Sequence, residues 1–182
     1  MLEDPYNLLA GTDWHTRTML KRLARDYHRL TGNGLRVRDG RRTCEEQDAI
    51  YAQGRTSSGT ISTNARGCKS WHVLGRAVDA DPFNPRTGEV FLGNSTEYRV
   101  LGVIWKKLGG VWGGDFSGLY DPGHFEWHPD KSIEDVCPEN MSCYQLKVQN
   151  KVPIYLMASG AILLLTVGIF TATVTMKVPA HA

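Results

Sequence analysis

Residues 152–176, VPIYLMASGAILLLTVGIFTATVTM, run for 25 positions without a charged side chain. As a helix rising about 1.5 Å per residue, such a stretch crosses a hydrocarbon core of about 30 Å with room for tilt. Lys147 and Lys151 precede it and Lys177 follows it, where snorkelling cations belong. The sequence therefore predicts a transmembrane helix over 152–176, which leaves the folded, water-facing domain to be built from what comes before. The expected layout is a domain over 1–130, a tether over 131–151, the membrane span, and a short tail over 177–182.

The preceding segment is large enough to bury a core. A formal net charge of +2 with 22% charged residues gives no sign of a nucleic-acid binder. The start, MLEDPYNLLAG, is acidic and its apolar run is too short for a secretory signal. Leu20, Leu23, Tyr27 and Leu30 recur at helical spacing across residues 13–30, with Thr12 or Asp13 as cap and TGNG as the stop. A second helix follows Thr43, with Glu45 and Glu46 in its first turn and Gly54 at its end. A third runs from Thr96 to about Leu108 behind Ser95. RTSSGTISTNARGCK, residues 55–69, reads as a loop. RAVDADPF and HFEW are short β-type runs. This order predicts an α+β domain with a small antiparallel sheet and flanking helices.

Six histidines are few enough for clustering to be informative. In SWHVLGRAVDAD, residues 70–81, His72 and Asp79 stand seven positions apart. On one continuous strand an odd offset would place them on opposite faces. Gly75 breaks the run, so a loop can deliver His72 while RAVDAD delivers Asp79. Downstream, in GGDFSGLYDPGHFEWHP, Asp121, His124, Glu126 and His128 fall between aromatic residues suited to wall a cleft. A catalytic zinc site takes three His or carboxylate ligands, leaves one position for water, and needs a nearby carboxylate to accept the proton. The two segments supply that inventory, although HExxH is absent. The residues alone leave two registers: His124 with Asp121, or His128 with Glu126. Residues two apart on a strand share a face, so geometry does not separate them.

SWHVLGRAVDAD resembles the S-x-H-x-x-G-x-A-x-D signature of the VanY-like zinc peptidases, which include D-alanyl-D-alanine carboxypeptidases and phage L-alanyl-D-glutamate endopeptidases. DGRRTCEEQDAIYAQGRT is similar to that family's G-x-R-[ST]-x-x-E-Q…Y-x-x-G-R segment. LGGVWGGDFSGLYDPGHFEW is similar to the endopeptidase branch's G-x-x-W-G-G-D-[FW]…D-x-x-H-F. The resemblance covers residues 15–130 and implies a hedgehog/D,D-peptidase-like fold around one zinc ion. It implies His72, Asp79 and His124 as ligands, Asp121 as catalytic base, and Arg42 as a substrate or oxyanion contact. Ser70 and Gly75 would shape the ligand loop, and Glu126 and His128 would stand beside the site. The family's acid-x-x-His spacing favours the Asp121–His124 register. An aspartate at 121 and the WGGD segment lie nearer the endopeptidase branch, which implies the L-Ala–D-Glu bond of the peptidoglycan stem. A D,D-carboxypeptidase is the close competitor, and a non-catalytic wall-binding or structural virion protein is a third reading.

Cys44, Cys68, Cys137 and Cys143 lack C-x-x-C spacing, which speaks against a four-cysteine zinc site. They permit three disulfide connectivities or none. Cys137 with Cys143 would close a short loop, and Cys44 with Cys68 would tie the second helix to the loop before His72. The expected partners are peptidoglycan, a bilayer through 152–176, and other virion membrane or vertex proteins, with no nucleic acid. The expected location is a virion or bacterial inner membrane, with action on the wall in phage-type lysis, local penetration during entry, or host wall remodelling.

Overall fold

The computed structural model describes residues 1–139 and 141, together with the backbone of 157–158 and 161–162. The chain divides into two units, Met1–Leu146 and Lys147–Ala182.

The first unit is built on a five-stranded sheet ordered β1-β2-β3-β5-β4. Its strands are β1 (Leu2–Glu3), β2 (Gly34–Asp39), β3 (Ala77–Phe83), β4 (Val111–Trp112) and β5 (His124–Glu126). The sheet is mixed, which corrects the expected antiparallel one: β1 pairs with β2 in parallel, while β2–β3, β3–β5 and β4–β5 are antiparallel. The parallel pair arises because α1 (Trp14–Thr31) carries the chain from β1 back to the start of β2, a crossover that only a helix-sized connection allows.

The helices form where caps and periodicity ask for them. Asp13 accepts from the His15 and Thr16 amides at the start of α1, and Gly32 ends it in the left-handed region at φ 76°. α2 (Cys44–Ala52) opens with a reciprocal capping box between Thr43 and Glu46. α3 (Thr96–Lys107) follows Ser95, whose side chain makes no cap hydrogen bond.

Leu20, Leu23 and Tyr27 of α1 and Leu101 and Trp105 of α3 pack with Leu35, Val37, Val78, Ala80 and Phe125 into one core. Each fully buried large aliphatic or Phe side chain there contributes about 1.5–3 kcal/mol. The Trp105 indole N–H also reaches the Val111 and Glu126 carbonyls, each at 3.0 Å, which pins β4 and β5 at the same point. Alternation then sets the opposite face. With Val78 and Phe125 turned into the core, Asp79, His124 and Glu126 project to the other side.

Cys68 and Cys137 form a disulfide with Cα atoms 5.9 Å apart, and Cys44 is also disulfide-bonded. This corrects the Cys44–Cys68 and Cys137–Cys143 pairing. Chain neighbours were the wrong guide, because α4 (Ile133–Val136), capped by Ser132, brings Cys137 to the loop before His72. Cys44, Cys68, Val73 and Cys137 make a second small core.

In the second unit, Met157–Ala158 and Ala161–Ile162 pair antiparallel. These four residues fall inside the expected membrane helix and are extended, not helical. The remainder of 152–176 lies outside the described residues. Among the described residues, no helix is long and apolar enough to cross a membrane.

Candidate metal centre

His72 comes from the tight loop 70–75. The Ser70 hydroxyl accepts the His72 amide at 3.3 Å, and the Gly75 amide closes onto the His72 carbonyl at 3.0 Å. Gly75 sits at φ 70°, and a Cβ there would press on the Gly11 carbonyl and Asp13 amide, so the position suits glycine on both counts. The ring is buried. Its Nδ1–H donates to the Gly40 carbonyl at 2.6 Å, and because a carbonyl only accepts, Nε2 is left with its lone pair facing the site.

Asp79 and His124 come from the sheet. They are directly paired across β3 and β5, which places both side chains on one face. Asp79 Oδ1 lies 2.9 Å from His124 Nδ1 and 3.2 Å from His72 Nε2, and the two ring nitrogens are 3.2 Å apart. Three donor atoms thus form a nearly equilateral triangle. A tetrahedral ion with ligand bonds of about 2.0–2.1 Å needs donor–donor edges of about 3.3 Å. The residues fit a zinc ion, and His72, Asp79 and His124 are the one such cluster among the described residues.

The surrounding charges hold this triangle. Burial works against a charge on Asp79, but the hydrogen bond from His124, with the His72 ring beside it, keeps its carboxyl well below the usual range. Burial likewise opposes a charge on His124, yet its bonds to Asp79 and Glu126 push it up to about 10. Asp79 Oδ2 accepts from Arg42 Nη2 at 3.0 Å, while Arg42 also donates to Asp39 at 2.7 Å and to Gln47 at 3.0 Å.

On the far side, His124 Nε2–H donates to Glu126 Oε1 at 2.9 Å, and His128 Nε2 meets Glu126 Oε2 at 2.9 Å. Burial raises Glu126, but these two histidines bring it down to about 2. The His128 ring stacks on Trp71 at 3.9 Å. Glu126 and His128 therefore orient His124 from behind, an arrangement that fixes ligand tautomers in metal sites. His128 does not join the triangle.

Asp121 reaches the same cleft from the loop between β4 and β5. Its amide donates to the Gly113 carbonyl at 3.1 Å, and its own carbonyl accepts the His124 amide at 3.1 Å. A side chain on Gly113 would collide with the Asp121 carbonyl and with His124 Cβ, which explains part of the WGGD segment. Trp112 holds the same loop by donating to the Pro122 carbonyl at 2.8 Å. No hydrogen bond or ion pair among the described residues engages the Asp121 carboxylate. Burial, reinforced by the Asp79 charge, raises its pKa, with His124 and Arg38 acting in the opposite sense.

The cleft encloses about 620 Å³ and extends from the triangle between the 62–65 and 116–119 segments. Of the aromatic residues expected to wall it, Phe116 does so and approaches His124 at 5.8 Å, while Phe125 is core, Trp127 packs against the core, and Tyr120 is exposed and donates to the Gly93 carbonyl. Sequence reading missed the Gly40 carbonyl, Asp39, Gln47, Trp71 and Arg38. A glutamine in the middle of a short helix, buried at position 47, was the one available signal.

Residues 63–127, which carry all three triangle residues and Asp121, match the M15 peptidase family model described as D-alanyl-D-alanine carboxypeptidase. The chain is also similar to the peptidoglycan L-alanyl-D-glutamate endopeptidase CwlK of Bacillus subtilis (strain 168), at 35% identity over 102 residues. That match takes in 52% of this chain and spans 60% of the relative's length. The L-Ala D-Glu endopeptidase ChiX of Serratia marcescens has a crystal structure similar at a TM-score of 0.47 and 23% identity, over 66% of this chain and 84% of that one. The zinc-bound D,D-pentapeptidase VanY from a VanB-type vancomycin resistance cassette gives 0.47 and 20%, over 75% and 83%.

Proposed function

We propose that this chain is a zinc-dependent peptidase that cuts the stem peptide of bacterial peptidoglycan at the L-Ala–D-Glu bond. The observation that carries the reading is the His72–Asp79–His124 triangle with an uncommitted carboxylate, Asp121, beside it. The similarity to CwlK supports the choice of bond.

His72, Asp79 and His124 would hold a zinc ion, which would supply Lewis acidity for polarising a water and the scissile carbonyl. The chain's own residues do the rest. Asp121 takes the proton of the attacking water and returns it to the leaving amine. A raised carboxyl pKa brings its acid form closer to working pH, which suits a group that must both accept and donate. Arg42 aims the Asp79 carboxylate, and Glu126 with His128 fixes the His124 ring. His72 is locked in one tautomer by Gly40.

A D,D-carboxypeptidase acting on the stem terminus is the second reading, favoured by the description of the family matched over 63–127. Membrane attachment through 152–176, and with it a role in phage-type lysis or local wall penetration, is supported by the uncharged sequence of that stretch.

The test is digestion of purified peptidoglycan by the zinc-loaded protein, with and without chelator, reading new amino termini by labelling and mass spectrometry. New D-Glu amino termini that vanish with chelator are expected; free D-Ala would establish the carboxypeptidase instead. Asp121→Ala should abolish release, a loss of about 10²–10⁴-fold, while zinc content stays. Full release by that variant would refute the role of Asp121, and no release by the parent would favour a wall-binding protein.

A further inference from the structure

Three cations line the cleft: Arg38, Arg42 and Lys69. Two are already occupied. Arg42 is spent on Asp39, Gln47 and Asp79. Lys69 donates to the Cys137 carbonyl at 2.6 Å. Arg38 is different. Its side chain is 52% exposed, and among the described residues its one charged contact is Asp81, at 3.4 Å. The Tyr98 hydroxyl donates to that same Asp81 oxygen at 2.9 Å, so Asp81 anchors the guanidinium and Tyr98 shares the anchor.

The position of Arg38 follows from a fault in the sheet. Val37 pairs with Ala80 and Asp39 pairs with Asp79, so the β2–β3 register shifts between them and Arg38 is the extra residue. Bulges of this kind re-aim a side chain and are common beside active sites. The guanidinium passes over Gly123, where an added Cβ would lie 3.0 Å from Nη2. It is thereby carried toward Asp121, with which it interacts electrostatically.

Asp121 is the group that protonates the leaving amine, so the substrate atoms around that nitrogen lie on the Arg38 side of the cleft. In both candidate substrates the leaving residue carries a free carboxylate on the carbon bonded to that nitrogen. In D-Glu this is the α-carboxylate, left free because the stem continues through the γ-carboxyl; in D-Ala it is the chain terminus. We propose that Arg38 is a specificity residue that binds this free α-carboxylate of the leaving residue. The inference rests on the peptidase reading for its placement of the leaving group. It predicts discrimination against stems whose D-Glu is amidated to D-isoglutamine, where the carboxylate becomes a neutral carboxamide.

The experiment uses the zinc-loaded full chain and two matched stem peptides, one with a D-Glu α-carboxylate and one with the α-carboxamide. Turnover of both is measured, along with calorimetric binding of the product-like dipeptide γ-D-glutamyl-lysine in its acid and amide forms. The acid form should be preferred by about 10- to 100-fold, the range of a charge-assisted hydrogen bond. In Arg38→Ala that ratio should fall toward one, and Arg38→Lys should keep part of it. A ratio unaffected by Arg38→Ala, or no preference in the parent protein, overturns the proposal even if both peptides are cut. Absence of turnover with the binding preference intact and dependent on Arg38 would overturn the peptidase reading and leave the carboxylate site standing.

Discussion

Zinc binding to this protein should be coupled to loss of one proton from His124. A histidine nitrogen ligates only when it carries no proton, and in the metal-free protein His124 holds its charge up to about 10 because Asp79 and Glu126 accept from both ring nitrogens. At pH 7 the ring is about three units below that value, so displacing its proton costs about 4 kcal/mol at about 1.4 kcal/mol per unit. Apparent zinc affinity should therefore rise about tenfold for each pH unit between 7 and 8.5. The direction for stability is the reverse. The folded value exceeds the ordinary 6.5, so charged His124 stabilises the metal-free fold fully below pH 6.5, and this contribution fades as pH rises toward about 10. The assay is titration calorimetry in buffers of different ionisation enthalpy, with a competing chelator, repeated across this range. An affinity that does not change with pH and zero proton release would refute the reasoning, since His124 would then be neutral before the ion arrives.

Three other changes test the site's supports. Arg42→Ala removes the cation at Asp79 Oδ2 while charged His124 stays on Oδ1, and in the metal-free protein should cost about 1.5–3 kcal/mol in urea unfolding. His124→Ala should abolish stoichiometric zinc by metal analysis, whereas His128→Ala, outside the triangle, should weaken affinity by about 10- to 100-fold; the opposite pattern would assign the ligand to His128. Replacing Cys68 and Cys137 together by serine removes a link across a sequence separation of 69. That should cost about 4 kcal/mol by chain entropy, read from the unfolding midpoint without reductant.

The sequence was most informative where one residue type has one job. The Asp13 and Thr43 caps, the glycine at 75 and the His72, Asp79 and His124 donors all act through local geometry or chemistry that their identity announces. What it did not disclose depends on distant pairing. β1 is two residues long and becomes a strand only because Leu2 finds Leu35. The partner of Cys68 lies 69 positions away. GLRVRD was not among the β-type runs read from the sequence; of its charged residues Arg38 and Asp39 line the cleft, while Arg36 pairs with Glu3. Arg42, expected as a substrate or oxyanion contact, does line the cleft, but its bonds to Asp39, Gln47 and Asp79 depend on distant pairing that the sequence does not disclose.

The pairing of Asp79 opposite His124 makes the metal a judge of how the chain was assembled. β5 is three residues long, and a slip of one position against β3 would turn His124 into the core and bring Phe125 out. Only one alignment sets two donors side by side beneath His72. An ion that binds that alignment alone withdraws it from the misthreaded ones by mass action. Zinc would thus act during folding as a proofreader of the sheet, before it acts on any substrate.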